Sequence, residues 1–270
     1  TAVVTSAQEI SGEERQRLAR ALERLYRRPI QVQSIVDPQI VRGLKVRYRR
    51  STLGFVWTML QPLLTMVVLT TVFSHAFRFD LPAYPVYALS GLLFWNFFSQ
   101  AITSSMYSLR GNANLLSKVP VPKAVFPVAT LLAGLVNLLL ALVPLAVILL
   151  VTGHPIRPAI AFVPVSILVA AVFTLGFGLM LSPLAAFFQD LMELVSVVLM
   201  MVMYLTPIFY PPAIVPEHYR AWLRWNPVSV VMEVFRDPIY RGELPSASSF
   251  GAACLLAGLS LVLGVLAFRR

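Results

Sequence analysis

The sequence predicts an all-α integral membrane protein: six transmembrane helices, an N-terminal amphipathic interfacial helix, and short re-entrant outer helices between spans five and six. Three observations predict it. Hydrophobic residues fill 58% of the 270 positions and charged residues 13%, against roughly 25% charged in soluble domains. A chain this apolar cannot cover itself with polar groups in water. The apolar residues fall into six long runs, each close to the roughly 20 residues a helix needs to cross about 30 Å of hydrocarbon. The net charge of +10 gathers at the ends of those runs, not on a basic domain with interleaved aromatics. That pattern belongs to membrane orientation and argues against a nucleic-acid partner.

Residues 1–35 read as a charged cytoplasmic extension. Ser11 and Glu14 have capping-box spacing, and Leu18, Leu22 and Leu25 then recur at helical intervals. The first fifty residues lack the apolar core of about 7–15 residues that a cleavable signal carries. Residues 36–52 read as the interfacial helix. Asp37 supplies an N-cap and Pro38 the first helical position. Ile40, Val41, Leu44 and Tyr48 share one side, while Arg42, Lys45 and Arg49 share another. A basic amphipathic helix of this kind lies in the interface plane.

Residues 53–270 hold the six spans, at about 53–75, 86–106, 125–152, 159–187, 190–209 and 248–268. The fourth and fifth are separated at "FFQDLMEL", because Asp190 and Glu193 do not lie comfortably in hydrocarbon. Sixteen Lys and Arg fall on the side of the two termini. Six fall on the other: Arg78, Arg157, Arg220, Arg224, Arg236 and Arg241. The bias places both termini in the cytoplasm. Arg47, Arg49 and Arg50 hold the start of span one at the inner surface, each contributing about 1 kcal/mol near anionic lipid.

Inside the spans, Gln61-Pro62 frees a backbone carbonyl that neighbouring helices or water must satisfy. In span two, Asn96, Ser99, Gln100 and Thr103 share one face, suited to interhelical hydrogen bonds or to a wet passage. Gly176, Gly178 and Ser182 in span four, and Gly251, Gly258 and Gly264 in span six, permit close helix approach. Two loops stand out. Residues 108–127 carry an apolar Leu115-Leu116 knob beside the stiff Val119-Pro120-Val121-Pro122 run, a docking element. Residues 206–245 are divided at Asn226-Pro227 into two short amphipathic helices, too short and too charged to span.

No catalytic pattern is present. The chain lacks G-x-x-x-x-G-K-[ST], H-E-x-x-H and G-x-S-x-G. His75, His154 and His218 are isolated and read as solvated or satisfied structural residues, and Cys254 is the single cysteine. No catalytic, cofactor-binding or metal site is expected. No ionisable residue falls near a span midplane, which weakens a gradient-driven carrier. Energy for uphill movement must then come from a partner.

Taken in order, "RYRRSTLGFVWTMLQPLL", "FSHAF", "SGLLFWNFFSQAI", "NLLSKVPVPKAVFPV", "FFQDLMELVSVVLMMVMYLTPIFYP" and "WNPV" resemble the permease subunit of ABC-2-type polysaccharide exporters. The likeness covers about residues 36–268. It implies a homodimer in the bacterial plasma (inner) membrane with two ATP-binding-cassette subunits, which bind the ATP and Mg that this chain does not. The substrate class it implies is polyprenyl-diphosphate-linked polysaccharide: O-antigen, capsule, teichoic acid or galactan. ATPase coupling maps by resemblance to Leu115, Leu116, Ser117, Lys118, Val119, Pro120, Val121, Gln189 and Asp190. The interfacial helix maps to a gate whose Arg42, Lys45, Arg47, Arg49 and Arg50 would meet the lipid diphosphate. Trp57, Trp95, Asn96, Phe98, Tyr204 and Tyr210 would line a glycan conduit, and residues 216–240 would form an exit gate. Gln189 stands where the family often carries arginine, which removes one partner of a salt bridge at that turn. The alternatives are an ABC-2 drug or antibiotic exporter, a polyprenyl-sugar membrane transferase, and a structural scaffold for glycan enzymes.

Overall fold

The computed structural model describes residues 56–75, 83–113 and 122–269. Every regular element among them is helical. They are α1 (Val56–His75), α2 (Tyr84–Gly111), α3 (Val125–Val151), α4 (Val163–Phe187), α5 (Asp190–Leu205), α6 (Glu217–Trp225), α7 (Pro227–Arg236) and α8 (Ala247–Arg269). A 3-10 turn, Pro158–Phe162, leads into α4, and a π turn, Asp237–Arg241, follows α7.

Among the described residues, three helical stretches are long and apolar enough to cross a membrane: Val125–Val151, Pro158–Phe187 and Ala247–Arg269. Their free faces carry stripes of large apolar side chains at helical spacing. Leu139, Val143, Val147 and Leu150 line α3, and Leu255, Leu259, Val262 and Leu266 line α8. Faces of this size and composition suit hydrocarbon, not water.

Helix α2 forms the centre. It packs against α1, α3, α4 and α7, and Val86, Leu89, Leu93, Phe94 and Ile102 are almost inaccessible. Helix α8 lies along α4, and glycine sets the spacing. A Cβ on Gly176 would collide with the Ser260–Leu261 backbone, and one on Gly264 with the Gly176 carbonyl. The expectation for Gly251 and Gly258 is corrected, because neither meets any neighbour. The approach is confined to one crossing point, so only the glycines at that point are needed.

Span boundaries follow the breakers. The polar notch closes α4 at Phe187 and opens α5 at Asp190. Asp190 and Glu193 sit in the first turn of α5, where the helix dipole favours negative charge. Helix α5 stops at Leu205, short of the expected 209. Pro207 has no N–H and disfavours helical geometry in the residue before it. Thr206 is accordingly extended (φ −95°, ψ 133°), and its Oγ1 donates back to the Val202 carbonyl at 2.7 Å.

The polar stripe of span two resolves locally. Ser99 Oγ donates to the Trp95 carbonyl and Thr103 Oγ1 to the Ser99 carbonyl, each at 2.8 Å. Both bonds stay within α2. The hydroxyls that do tie helices together are others: Ser105 to Thr130 (3.2 Å), Ser260 to the Phe173 carbonyl (3.2 Å) and Ser166 to the Val234 carbonyl (2.8 Å).

Candidate functional site

The polar chemistry concentrates at one end of the bundle, where α2, α4 and α8 begin, α5 ends, and α6 and α7 lie. Asn226 separates the two short helices. Its Oδ1 accepts from Val228 N at 3.0 Å, an N-cap for α7. Its Nδ2 donates to Thr206 Oγ1 at 2.9 Å and so ties the cap to the end of α5.

Helix α7 buries Val228, Val231, Met232, Phe235 and, on the same stripe, Arg236. The guanidinium lies against the Tyr87 ring, with Cζ 4.0 Å from the centroid. Nη1 donates to the Pro207 carbonyl at 2.8 Å, and Nη2 donates to the Ile208 carbonyl at 3.3 Å. A buried cation costs several kcal/mol unless its donors are met. Here two main-chain carbonyls and an aromatic face supply partners, while Nε has none. Burial pulls the Arg236 pKa down, opposed by Tyr87, Glu233 and Asp237. The sequence reading counts Arg236 among the outer-side cations, and the structure adds that it is only 5% exposed. Gly91 makes the burial possible, since a Cβ there would overlap Nη2.

The same linker is held from α2 by tyrosine hydroxyls. Tyr87 Oη is shared between the Pro207 (2.9 Å) and Tyr210 (2.8 Å) carbonyls, and Tyr84 Oη donates to the Phe209 carbonyl (3.0 Å). The Tyr87 and Tyr240 rings meet edge to face, with centroids 5.1 Å apart. The His154 ring stacks on Tyr240 at 5.9 Å, and its Nε2 lies 2.8 Å from the Tyr240 carbonyl, which makes His154 a satisfied structural residue. Asp237 pairs with Arg241 at 3.1 Å. Burial nonetheless pushes the Asp237 carboxyl up, Arg241 and Arg236 pulling against it. Gly242 adopts φ 66° with the Arg157 side chain against it, a position that no Cβ fits.

Beside this clamp, Val202, Leu205, Trp222, Trp225 and Asn226 line a groove of about 530 Å³. Trp222 and Trp225 are 71% and 86% exposed. Tyr204 is exposed on α5, and Tyr210 donates its hydroxyl to the Tyr204 carbonyl at 2.8 Å. The fold therefore brings Tyr204 and Tyr210 together at this end. Trp95 and Phe98 lie elsewhere, packed in the core at 5% and 2% exposure. Phe98 stacks on Phe173 at 5.7 Å. Asn96 is half-buried, and Gln189 and Asp190 are exposed at the α4–α5 turn. Leu115, Leu116, Ser117, Lys118, Val119, Pro120 and Val121 lie outside the described residues, as do the interfacial helix with Arg42, Lys45, Arg47, Arg49 and Arg50, and the side chain of Trp57. Among the described residues no three metal-binding side chains converge.

Sequence reasoning missed Arg236, Tyr87, Trp222 and Trp225. One signal was available for Arg236. Its spacing from Val228 and Met232 puts it on the apolar stripe of α7, where a solvated cation has no place.

Comparison with known proteins adds three findings. The family profile described as ABC-2 type transporter matches residues 39–240. A second profile, the ATP synthase delta (OSCP) subunit, matches residues 1–54. Among curated relatives, an O-antigen export system permease protein from Myxococcus xanthus is 32% identical over 242 residues, 89% of this chain and 92% of its own. One from Klebsiella pneumoniae is 31% identical over 206 residues, 75% of this chain and 79% of its own. The polysialic acid transport protein KpsM of Escherichia coli is 23% identical over 255 residues, 91% and 96% of the two chains.

Proposed function

Because the chain belongs to the ABC-2 type transporter family, we propose that it is the membrane-spanning subunit of an ATP-driven exporter of polyprenyl-diphosphate-linked polysaccharide. The observation that carries this reading is likeness along almost the whole length, 89% of this chain and 92% of the relative, to a protein named for O-antigen export. Six crossings, with α1, α2 and α5 added to the three stretches long and apolar enough to cross, put both termini in the cytoplasm of a bacterial inner membrane. Two copies wall the passage. Two ATP-binding-cassette subunits dock on the cytoplasmic loops, bind ATP and Mg, and hydrolyse the nucleotide. This chain needs no cofactor of its own.

In this reading Leu115, Leu116 and the stiff run through Val121, together with Gln189 and Asp190, receive the stroke of the ATPase. The basic helix of residues 36–52 meets the lipid diphosphate, since Arg and Lys are the natural partners of phosphate oxygens. Residues 1–35 precede this helix as a cytoplasmic extension, and residues 53–270 form the transmembrane domain. Of the aromatic residues assigned to the conduit, Tyr204 is exposed and Tyr210 half-buried. Trp222 and Trp225 join them as exposed flat faces at the same end. The Arg236 clamp sets where α6 and α7 sit over the mouth.

The test is deletion of this chain in its host with the ATP-binding partner retained. Surface polysaccharide should disappear while lipid-linked glycan accumulates on the cytoplasmic side, and the wild-type chain should restore display. Leu115→Asp with Leu116→Asp should fail to restore it although the dimer still assembles. Unchanged surface glycan in the deletion, or ATP hydrolysis by the purified chain alone, would sink the reading.

A further inference from the structure

A second cavity, of about 430 Å³, lies between α6, α7, the start of α8 and the 207–212 segment. Its volume falls within the roughly 300–1,000 Å³ of small-molecule sites. Its polar lining is Arg220, Ser229, Glu233, Ser248 and Ser249, and Leu223 and Val230 add apolar wall. The tryptophan-lined groove is a separate space.

Three features of the lining are unfinished. Ser229 is 3% exposed and its hydroxyl has no hydrogen-bond partner. Buried hydroxyls are nearly always paired, and Ser229 stands in the cavity wall with its hydroxyl unpaired. The Glu233 carboxylate forms no ion pair among the described residues. Burial, with Asp237 adding, pushes its pKa up against Arg241 and Arg236. Arg220 is pinned across the cavity, Nε donating to the Val215 carbonyl at 2.7 Å and Nη2 to the Ala213 carbonyl at 2.8 Å. Its Nη1 reaches Glu217 only at 3.8 Å, which leaves donor capacity in a fixed place.

Charge selects the ligand. One carboxylate and one guanidinium border the same space, so an anion meets Glu233 and a simple cation meets Arg220. A hydroxyl suits both, because it donates to a carboxylate and accepts from a guanidinium or a serine. Apolar walls beside such groups match the C–H face of a sugar ring. We propose that this cavity is a binding site for a neutral saccharide unit, held by Glu233 and Arg220. The site rests on the polysaccharide-export reading and gives the glycan a foothold behind the two short helices, apart from the path between two copies.

The test uses the complete exporter in lipid nanodiscs. The probe is the oligosaccharide repeat released from the host's own surface polysaccharide, and free phosphoethanolamine serves as a zwitterionic control. Saturation-transfer NMR reads binding. The wild type should saturate with the oligosaccharide. Glu233→Gln should weaken binding about tenfold or more, the size of a lost hydrogen bond to a charged group. Ala252→Trp, at an exposed position bordering the cavity, should abolish binding by filling the space, even if Glu233→Gln assembles poorly. The site is refuted if both variants bind like wild type, if wild type binds no oligosaccharide, or if phosphoethanolamine binds in its place. Surface display scored in the same strains separates the two readings. Normal display with binding indifferent to the variants removes only this site, whereas display that does not depend on the chain removes the exporter reading itself.

Discussion

Gly91→Ala asks whether Arg236 is held as tightly as its contacts indicate. Gly91 is buried about two turns into α2, and an alanine Cβ there would overlap Arg236 Nη2, with Ile208 Cγ2 at 3.2 Å and Arg236 Cζ at 3.3 Å. The guanidinium can yield only by giving up its bonds to the Pro207 and Ile208 carbonyls and its place on the Tyr87 ring. Stranding a buried charge costs about 3–5 kcal/mol. Alanine returns about 1 kcal/mol of helix propensity, so the net loss is roughly 2–4 kcal/mol. For a chain of this size each 1 kcal/mol moves the midpoint by about 2–4 °C, which predicts a fall of roughly 4–16 °C. Thermal unfolding of the purified chain in nanodiscs measures it. Arg236→Met combined with Gly91→Ala removes the obstructed charge and should recover part of the loss, a non-additivity expected of residues in contact. A Gly91→Ala midpoint at or above wild type, or a double variant no better than Gly91→Ala alone, would refute the reasoning.

Three further outcomes follow from the same geometry. Gly176→Ala should cost about 1–3 kcal/mol by overpacking the α4–α8 crossing, while Gly258→Ala, with open space around it, should be neutral or stabilising in the same unfolding assay. Asn226→Ala removes the α7 cap and its tie to Thr206, and should cost about 1 kcal/mol or somewhat more. Glu233 has its pKa raised above the ordinary 4.5, first by burial and then by Asp237. Its contribution is therefore fully present below that value and lost as pH rises through the raised one. Asp237 is raised as well, and Arg241 and Arg236 are the cations that act on both carboxyls, while Arg220 borders the same cavity as Glu233. Thermal midpoints taken from pH 4 upward should decline less steeply in Glu233→Gln than in wild type, and identical slopes would remove Glu233 as the titrating group.

Much of the architecture was legible along the chain because each piece of it is local. Contiguous apolar runs place α3, α4 and α8. Asp190 and Glu193 place the break between α4 and α5, and Asn226-Pro227 places the division between α6 and α7. The end of α5 was misplaced because an apolar run looks continuous through Met203, Tyr204 and Leu205, while Pro207 acts on the residue before it. Trp95 and Phe98 were assigned to a passage on ring chemistry; in this fold both are buried, Phe98 stacked on Phe94 and Phe173 and Trp95 tilted against Phe98. For Gly251 and Gly258, residue type suggested an approach that only helix rotation could decide.

By itself, then, the sequence determined that the chain is helical and membrane-embedded, where several of its helices begin and break, and which family it resembles. Those properties depend on neighbours a few residues apart, through apolar run length, proline geometry and caps. Only the tertiary structure decided that Arg236 is buried beneath Tyr87, that Gly91 and Gly176 are the glycines that matter, and that Ser229, Glu233 and Arg220 border one cavity. Tyr87 and the carbonyl of Pro207 lie 120 residues apart. Contacts of that kind exist only after several helices have packed, because the desolvation that makes a buried cation costly, and its partners necessary, is a property of the assembled interior and not of any segment.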